Sequence, residues 1–217
     1  MVAHEACLTV TDLRKVPRRR EYELHLSDGS SLKILEEDLH CKGIDVGSEL
    51  TWRTIEDLRQ AYAYKRCMEI VQRLLRIRPR TRREIIRKLQ KTGFPQKIWE
   101  AVIGDLESRG VLDDLAFARL WIEEKSGKAG KRRIRSELLA RGIDMMTVEQ
   151  ALELYYDESN TLDVARQVVE RRLGRLKGLP RETVFRRLYT LLLRRGFESD
   201  VAAEVARSAL ENLEGKQ

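Results

Sequence analysis

LRIRPRTRREIIRKLQKTGF, residues 75–94, runs on through Pro95 into IWEAVIGDLESRGVLDDLAFARL, residues 98–120. The first part crowds positive charge beside Ile85, Leu89 and Phe94. The second spaces Ile98, Val102 and Leu106. Apolar residues at intervals of three to five fall along one stripe of a helix with 3.6 residues per turn. The stretch therefore reads as a basic helix, a break at Gly93 and a second amphipathic helix.

Composition bounds what can cover that stripe. The chain has 217 residues and is 42% hydrophobic, enough for a buried core in one large or several small domains. A charged fraction of 35%, a net charge of +7 and a pI near 9.4 favour acidic partners, nucleic acid among them. No apolar run approaches the roughly 18–20 residues that span a bilayer, and no basic-then-apolar leader is present. The expectation is a soluble cytoplasmic protein with no membrane partner. Cys7, Cys41 and Cys67 are odd in number and widely spaced, so they indicate neither a disulfide framework nor a zinc site.

Residues 1–60 differ from the rest. Leu8, Val10 and Leu13 lie near an alternating pattern. Tyr22, Leu24 and Leu26 alternate strictly before Ser27-Asp28-Gly29-Ser30, and Leu32 and Ile34 follow. Period-two apolar residues flanking Asp-Gly predict a β-hairpin. Glu36–Cys41 reads as a short helix ended by Gly43, and Val46–Leu50 as a turn into a helix capped by Thr51 or Thr54. Through Tyr64 the chain carries nine Lys or Arg against twelve Asp or Glu, so the basic character belongs to the helical remainder. The exception is the Arg14, Lys15, Arg18, Arg19, Arg20 cluster around Pro17, which reads as a solvated loop between strands.

From residue 65 the chain repeats itself. Gly93-Phe94, Gly142-Ile143 and Gly196-Phe197 are spaced by 49 and 54 residues. Eight residues before each glycine stand Ile85, Ile134 and Leu188; four before stand Leu89, Leu138 and Leu192. Five after stand Ile98, Thr147 and Val201, nine after Val102, Ala151 and Val205, thirteen after Leu106, Tyr155 and Ala209. Only Thr147 departs, and Val148 beside it fills the gap. Each glycine sits where a left-handed residue ends a helix. A further amphipathic stretch precedes each hairpin: Cys67–Leu75, Phe117–Ile122 and Val164–Leu173. The expected fold is mainly α: a small β-rich module at 1–60, then three tandem three-helix repeats at 61–112, 113–157 and 158–217, packed end to end as an elongated, curved module.

The same alignment sorts the charges. Ten residues before each glycine stand Arg83, Arg132 and Arg186, about 160–200° from the apolar stripe at 100° per residue. Arg83, Arg87 and Lys91 form an i, i+4, i+8 ridge; Arg133 and Arg135, and Arg187 and Arg194, flank the matching positions. A merely soluble face mixes both signs, whereas here only Glu84 and Glu137 interrupt the positive charge. A binding surface built from the second helix of every repeat is expected. Lys125–Lys131, KSGKAGK, lacks the spacing of a phosphate-cradling loop and reads as a flexible loop able to grip phosphate or an acidic surface.

Catalytic chemistry finds little support. Asp113-Asp114 precedes Phe117-Ala118 where a helix N-cap belongs, and capping outweighs a metal-dependent nuclease reading. His4, His25 and His40 match no Cys or Asp spacing, and no Ser-His or Cys-His constellation is evident. Neither enzymatic activity, cofactor nor metal is expected.

The run Leu75-x-x-Arg78-Pro79-Arg80-Thr81-x-x-Glu84-Ile85, then Gly93-Phe94, then Leu106-x-x-x-Gly110-Val111-Leu112-Asp113-Asp114-x-x-Phe117-Ala118, resembles the RecX family of RecA regulators. Lys131-Arg132-Arg133-Ile134-Arg135-x-Glu137-Leu138 and Gly142-Ile143 look like that family's second unit. The resemblance covers about residues 65–155 and extends weakly over the third unit. It departs at Ile85, where leucine is common, and at Leu115, where a polar residue is usual. It implies a bacterial monomer active in DNA repair, homologous recombination and the SOS response. Such a protein binds in the groove of the RecA filament on single-stranded DNA and restrains ATPase, strand exchange and co-protease activity. The expected contacts are Arg80, Arg83, Arg87, Lys91, Lys128, Lys131, Arg132, Arg133, Arg135, Arg186, Arg187 and Arg194. The alternative is a direct DNA-binding protein of helical-hairpin type.

Overall fold

The structure, a computed structural model, describes residues 7–176 and 178–214, with side chains described through Asn212. Two compact units result. One joins the chain up to Arg78 with Ile86–Arg109; the other joins Pro79–Ile85 with everything from Gly110 onward.

The first unit opens with strands β1 (Cys7–Lys15), β2 (Glu21–Leu26) and β3 (Ser31–Leu35), helix α1 (Glu36–Cys41) and strand β4 (Glu49–Thr51). They form one antiparallel sheet in the order β3-β2-β1-β4. The expected hairpin pairs Leu24 with Leu32 and Tyr22 with Ile34. At its turn Gly29 takes φ 80°, and the Asp28 carboxylate accepts from the Ser30 backbone and hydroxyl at 2.9 and 2.7 Å. β4 was not foreseen, because three residues after a turn show no period. Val10, Leu24, Ile34, Leu50 and Leu58 share the buried core of this sheet.

Helix α2 (Trp52–Ile77) starts where Thr51 Oγ1 accepts from Thr54 N at 3.2 Å. It continues unbroken through position 60 for 26 residues. Its Tyr62 hydroxyl donates to Glu21 at 3.1 Å, and Arg66 lies 3.5 Å from the same carboxylate. These partners keep Glu21 satisfied although it is only 5% exposed. Helix α4 (Gln96–Ser108) packs on α2, with Tyr64 donating to Asp105 at 2.9 Å.

Helix α3 (Arg82–Leu89) begins at Thr81, whose Oγ1 accepts from Glu84 N at 3.2 Å. In the second unit α5 (Asp114–Lys125), α6 (Lys131–Ala140) and α7 (Met145–Tyr155) surround one apolar core. Helices α8 (Thr161–Leu173), α9 (Arg181–Arg194) and α10 (Ser199–Glu214) surround another. Gly93, Gly142 and Gly196 take φ of 78°, 87° and 84°, the left-handed conformation that stops a helix and turns the chain back. The aligned apolar positions before the glycines are all fully buried: Ile85, Leu89, Ile134, Leu138, Leu188 and Leu192. After the glycines the stripe is two residues wide. Val148 is buried while Thr147 is partly exposed, and Tyr156 is buried in place of the expected Tyr155, which is 36% exposed. A helix drifts about 20° per seven residues against a fixed repeat, so the inward position slides by one.

Candidate functional site

The expected basic contacts divide by what surrounds them. Arg83, Arg87 and Lys91 are exposed and, among the described residues, without an ion pair. Arg83 and Arg87 ride on α3, and Lys91 on the 3₁₀ turn Gln90–Thr92 that follows it. Arg80 differs, being only 17% exposed and 3.7 Å from Glu84.

On α6 most of the positive charge meets acids that α6 does not carry. Lys131 pairs with Glu158 at 2.5 Å and Arg132 with Glu198 at 3.8 Å. Arg133 pairs with Glu137 of its own helix at 2.8 Å. Arg135 grips Glu149 of α7 through two hydrogen bonds of 2.6 and 2.9 Å, which hold the Glu149 carboxyl below the usual range. The sign bias seen along the helix sequence is thus partly offset by Glu149 of α7 and by Glu158 and Glu198 in the segments before α8 and α10.

Lys128 lines a cavity of about 560 Å³ together with Trp121, Lys125, Arg133, Arg141 and Arg195. Most of its cations already have partners. Arg141 lies 3.8 Å from the centre of the Trp121 ring and donates to Glu84 at 3.1 Å. Lys125 sits 4.6 Å from the same ring and 2.5 Å from Glu124, and Trp121 Nε1 donates to Glu137 at 3.2 Å. Arg195 donates to the Lys128 carbonyl at 3.3 Å. This is a self-compensated network built around an indole.

The third repeat is different. Arg186, Arg187 and Arg194 on α9 line a cavity of about 460 Å³ with Arg172 of α8 and Arg175 of the turn after it. Leu176, Leu188 and Leu191 supply apolar lining. None of the five arginines has an ion pair among the described residues. Arg172 and Arg175 were not among the expected contacts. The signal for them was present in Arg171-Arg172-x-x-Arg175, a basic run without an acid at the end of α8.

Asp113 caps α5, accepting from Leu115 N and Ala116 N at 2.8 and 3.0 Å. Asp114 accepts from Arg82 N at 2.8 Å. Both carboxylates are therefore engaged with helix starts. Among the described residues no group of three His, Cys, Asp or Glu is placed to hold a metal, and no helix is long and apolar enough to cross a membrane. His4 lies outside the described residues. What the exposed arginines and Lys91 offer is hydrogen-bond donors and positive charge.

Family models for the first, second and third three-helix domains of RecX match residues 67–106, 113–152 and 158–205. The chain is 35% identical over 150 residues to the regulatory protein RecX of Thermobifida fusca, covering 68% of this chain and 80% of that one. It is also 35% identical over 160 residues to that of Mycobacterium ulcerans, covering 72% and 90%. A crystal structure of regulatory protein RecX superposes with a TM-score of 0.68 at 20% identity, over 91% of this chain and 98% of that one. A crystal structure of RecX from Lactobacillus salivarius gives 0.62 at 20% identity, over 69% and 97%. Three matched domains in order, joined to these relatives, place the chain in the RecX family of regulatory proteins.

Proposed function

We propose that this chain regulates the RecA recombinase, binding the filament that RecA forms on single-stranded DNA and lowering its ATPase, strand-exchange and co-protease activities. It acts in the cytoplasm as a monomer, without cofactor or catalytic chemistry of its own. The observation that carries this reading is the presence, in order, of all three helical domains of a family named for regulation.

The exposed cations supply a compatible means. Arg83, Arg132 and Arg186 stand at one repeat position, and each is exposed. A filament offers the same anionic groups again and again along its length. Several weak contacts made by linked repeats reinforce one another through effective concentration. Such a ligand restrains a filament without needing any single strong contact.

The test is binding of the labelled chain to RecA–poly(dT) filaments and to poly(dT) alone across a salt series. The reading expects tighter binding to the filament at every salt concentration. The combined variant Arg87→Glu, Lys91→Glu, Arg132→Glu and Arg186→Glu should lose that preference while its helical circular dichroism is unchanged. Equal binding to filament and bare DNA would instead support the direct DNA-binding alternative.

A further inference from the structure

We infer that the arginine-lined cavity of the third repeat is a binding site for closely spaced phosphate groups. Arg172 at the end of α8, Arg175 in the following turn, and Arg186, Arg187 and Arg194 on α9 line one cavity of about 460 Å³, with no carboxylate among its lining residues. The inference gives the third repeat a ligand of its own and needs no RecA, so it survives the failure of the filament reading.

The arginines of the second unit fall into two groups. Arg119, Arg133, Arg135, Arg141 and Arg166 each have a carboxylate within 3.1 Å. Among the described residues the five arginines of this cavity have none, although α8 and α9 carry Asp163, Glu170 and Glu182. All five side chains are exposed, and like charges that line one cavity without counter-charge repel. A bound anion reverses the sign of that effect.

The residue type selects the anion. A guanidinium presents a planar fork of donors that matches the oxygens of phosphate, and it keeps its charge at every physiological pH. Arg186 and Arg194, eight apart, and Arg187 between them lie along one side of α9, with Thr190 adding a hydroxyl. Arg172 and Arg175 approach from the preceding helix and turn. Five forks on α8, α9 and the turn between them exceed what one phosphate can occupy, so the chemistry calls for adjacent phosphates. A nucleic-acid strand supplies them, as does a free polyphosphate.

The Trp121 cavity serves as an internal comparison. It is similar in size and also basic, but its cations are spent on Glu84, Glu124, Glu137 and the indole face. It stabilises the fold, whereas the third-repeat cavity has donors to spare.

The experiment titrates the full chain, without RecA, with inorganic tripolyphosphate and with an unphosphorylated oligo(dT) of about twelve nucleotides, within the span of a small single-strand site. The variant Arg172→Gln, Arg187→Gln, Arg194→Gln removes three forks. The control Arg53→Gln, Arg166→Gln, Arg207→Gln removes the same charge elsewhere. Thermal melts establish that both variants fold. Binding should weaken at least about tenfold in the first variant and under about threefold in the control, and the salt slope for the oligonucleotide should shallow by about 0.7 for each lost phosphate contact. Arg→Lys at the same three positions should restore only part of the affinity, because the charge returns without the fork. Preference for oligo(dT) identifies a strand as the source, and preference for tripolyphosphate a free polyphosphate. Failure of both probes to bind, or equal losses in variant and control, would overturn the site.

Discussion

Gly196 lies directly against Arg133: a β-carbon on Gly196 would come 2.3 Å from the Arg133 backbone nitrogen and 2.4 Å from its Cβ. Around this contact Gly130 N donates to the Arg195 carbonyl at 2.9 Å and Arg132 N to the Gly196 carbonyl at 3.2 Å. The same joint occurs once more. The Arg83 stem crosses Gly142, where a β-carbon would lie 1.9 Å from Arg83 Cδ, and the Thr81 hydroxyl donates to the Arg141 carbonyl at 2.9 Å. In each case the start of one basic helix seats on the glycine that ends the next. The glycine therefore terminates a helix and admits a neighbour with one atom left out.

Gly196→Ala and Gly93→Ala separate those two duties. Gly93, at φ 78°, has nothing within 4 Å of a built β-carbon, so alanine there costs the left-handed strain alone, about 1–2 kcal/mol. At Gly196 the neighbour is backbone and cannot swing away, which adds about 1–3 kcal/mol of overpacking. Urea denaturation of both variants measures the difference. Equal losses would contradict the joint.

Thr81 is the fully buried counterpart of Gly130 in this joint, and its hydroxyl both accepts from Glu84 N and donates to the Arg141 carbonyl. Thr81→Val keeps the shape and removes both hydrogen bonds. A loss of about 1–3 kcal/mol is expected by chemical denaturation, and Thr81→Ser should recover most of it. A neutral valine variant would show that the hydroxyl is replaceable by water.

Much of this was legible in the sequence, and the reason is local. A left-handed glycine, an Asp-Gly hairpin and a capping Asp113 act within a few residues, so their signals are written where they act. Ile85, Leu89 and their counterparts are legible because burial repeats with the helix period. The acids around α6 were not legible. Glu149, Glu158 and Glu198 lie outside α6, and no period within α6 reveals that Arg135 is gripped. Arg172 and Arg175 are hidden for a related reason: no single helix of the third repeat carries the cavity, which draws on α8, the turn after it and α9. β4 is too short to alternate.

The Arg135–Glu149 pair predicts a pH dependence. The folded-state pKa of Glu149 is lowered by its hydrogen bonds from Arg135, so the pair contributes stability above the ordinary glutamate range. That contribution is lost as pH falls through the lowered value. Both side chains are partly exposed, at 31% and 44%, so solvent screening keeps the effect small. Denaturation curves for Glu149→Gln should approach those of the unaltered chain as pH falls toward 3, from a deficit at pH 7. A deficit that does not change with pH would assign the loss to packing.

Cys67 predicts selective thiol chemistry. It is fully buried on α2, and burial pushes its pKa up to about 11, whereas Cys41 is exposed. A thiol reagent at pH 8 should modify Cys41 rapidly and Cys67 only as fast as the chain unfolds. Because the folded pKa is raised, the associated stability is complete below the usual thiol range and declines as pH rises toward 11. Rapid labelling of Cys67 in the native protein would contradict its burial.

Regulation of RecA is read in ATP hydrolysis by RecA on single-stranded DNA, titrated with the full chain. Hydrolysis should fall in a saturable manner as the chain is added, and reversing Arg87, Lys91, Arg132 and Arg186 to Glu should abolish the fall in a protein of unchanged helicity. Hydrolysis that stays level at chain concentrations equal to RecA would contradict it.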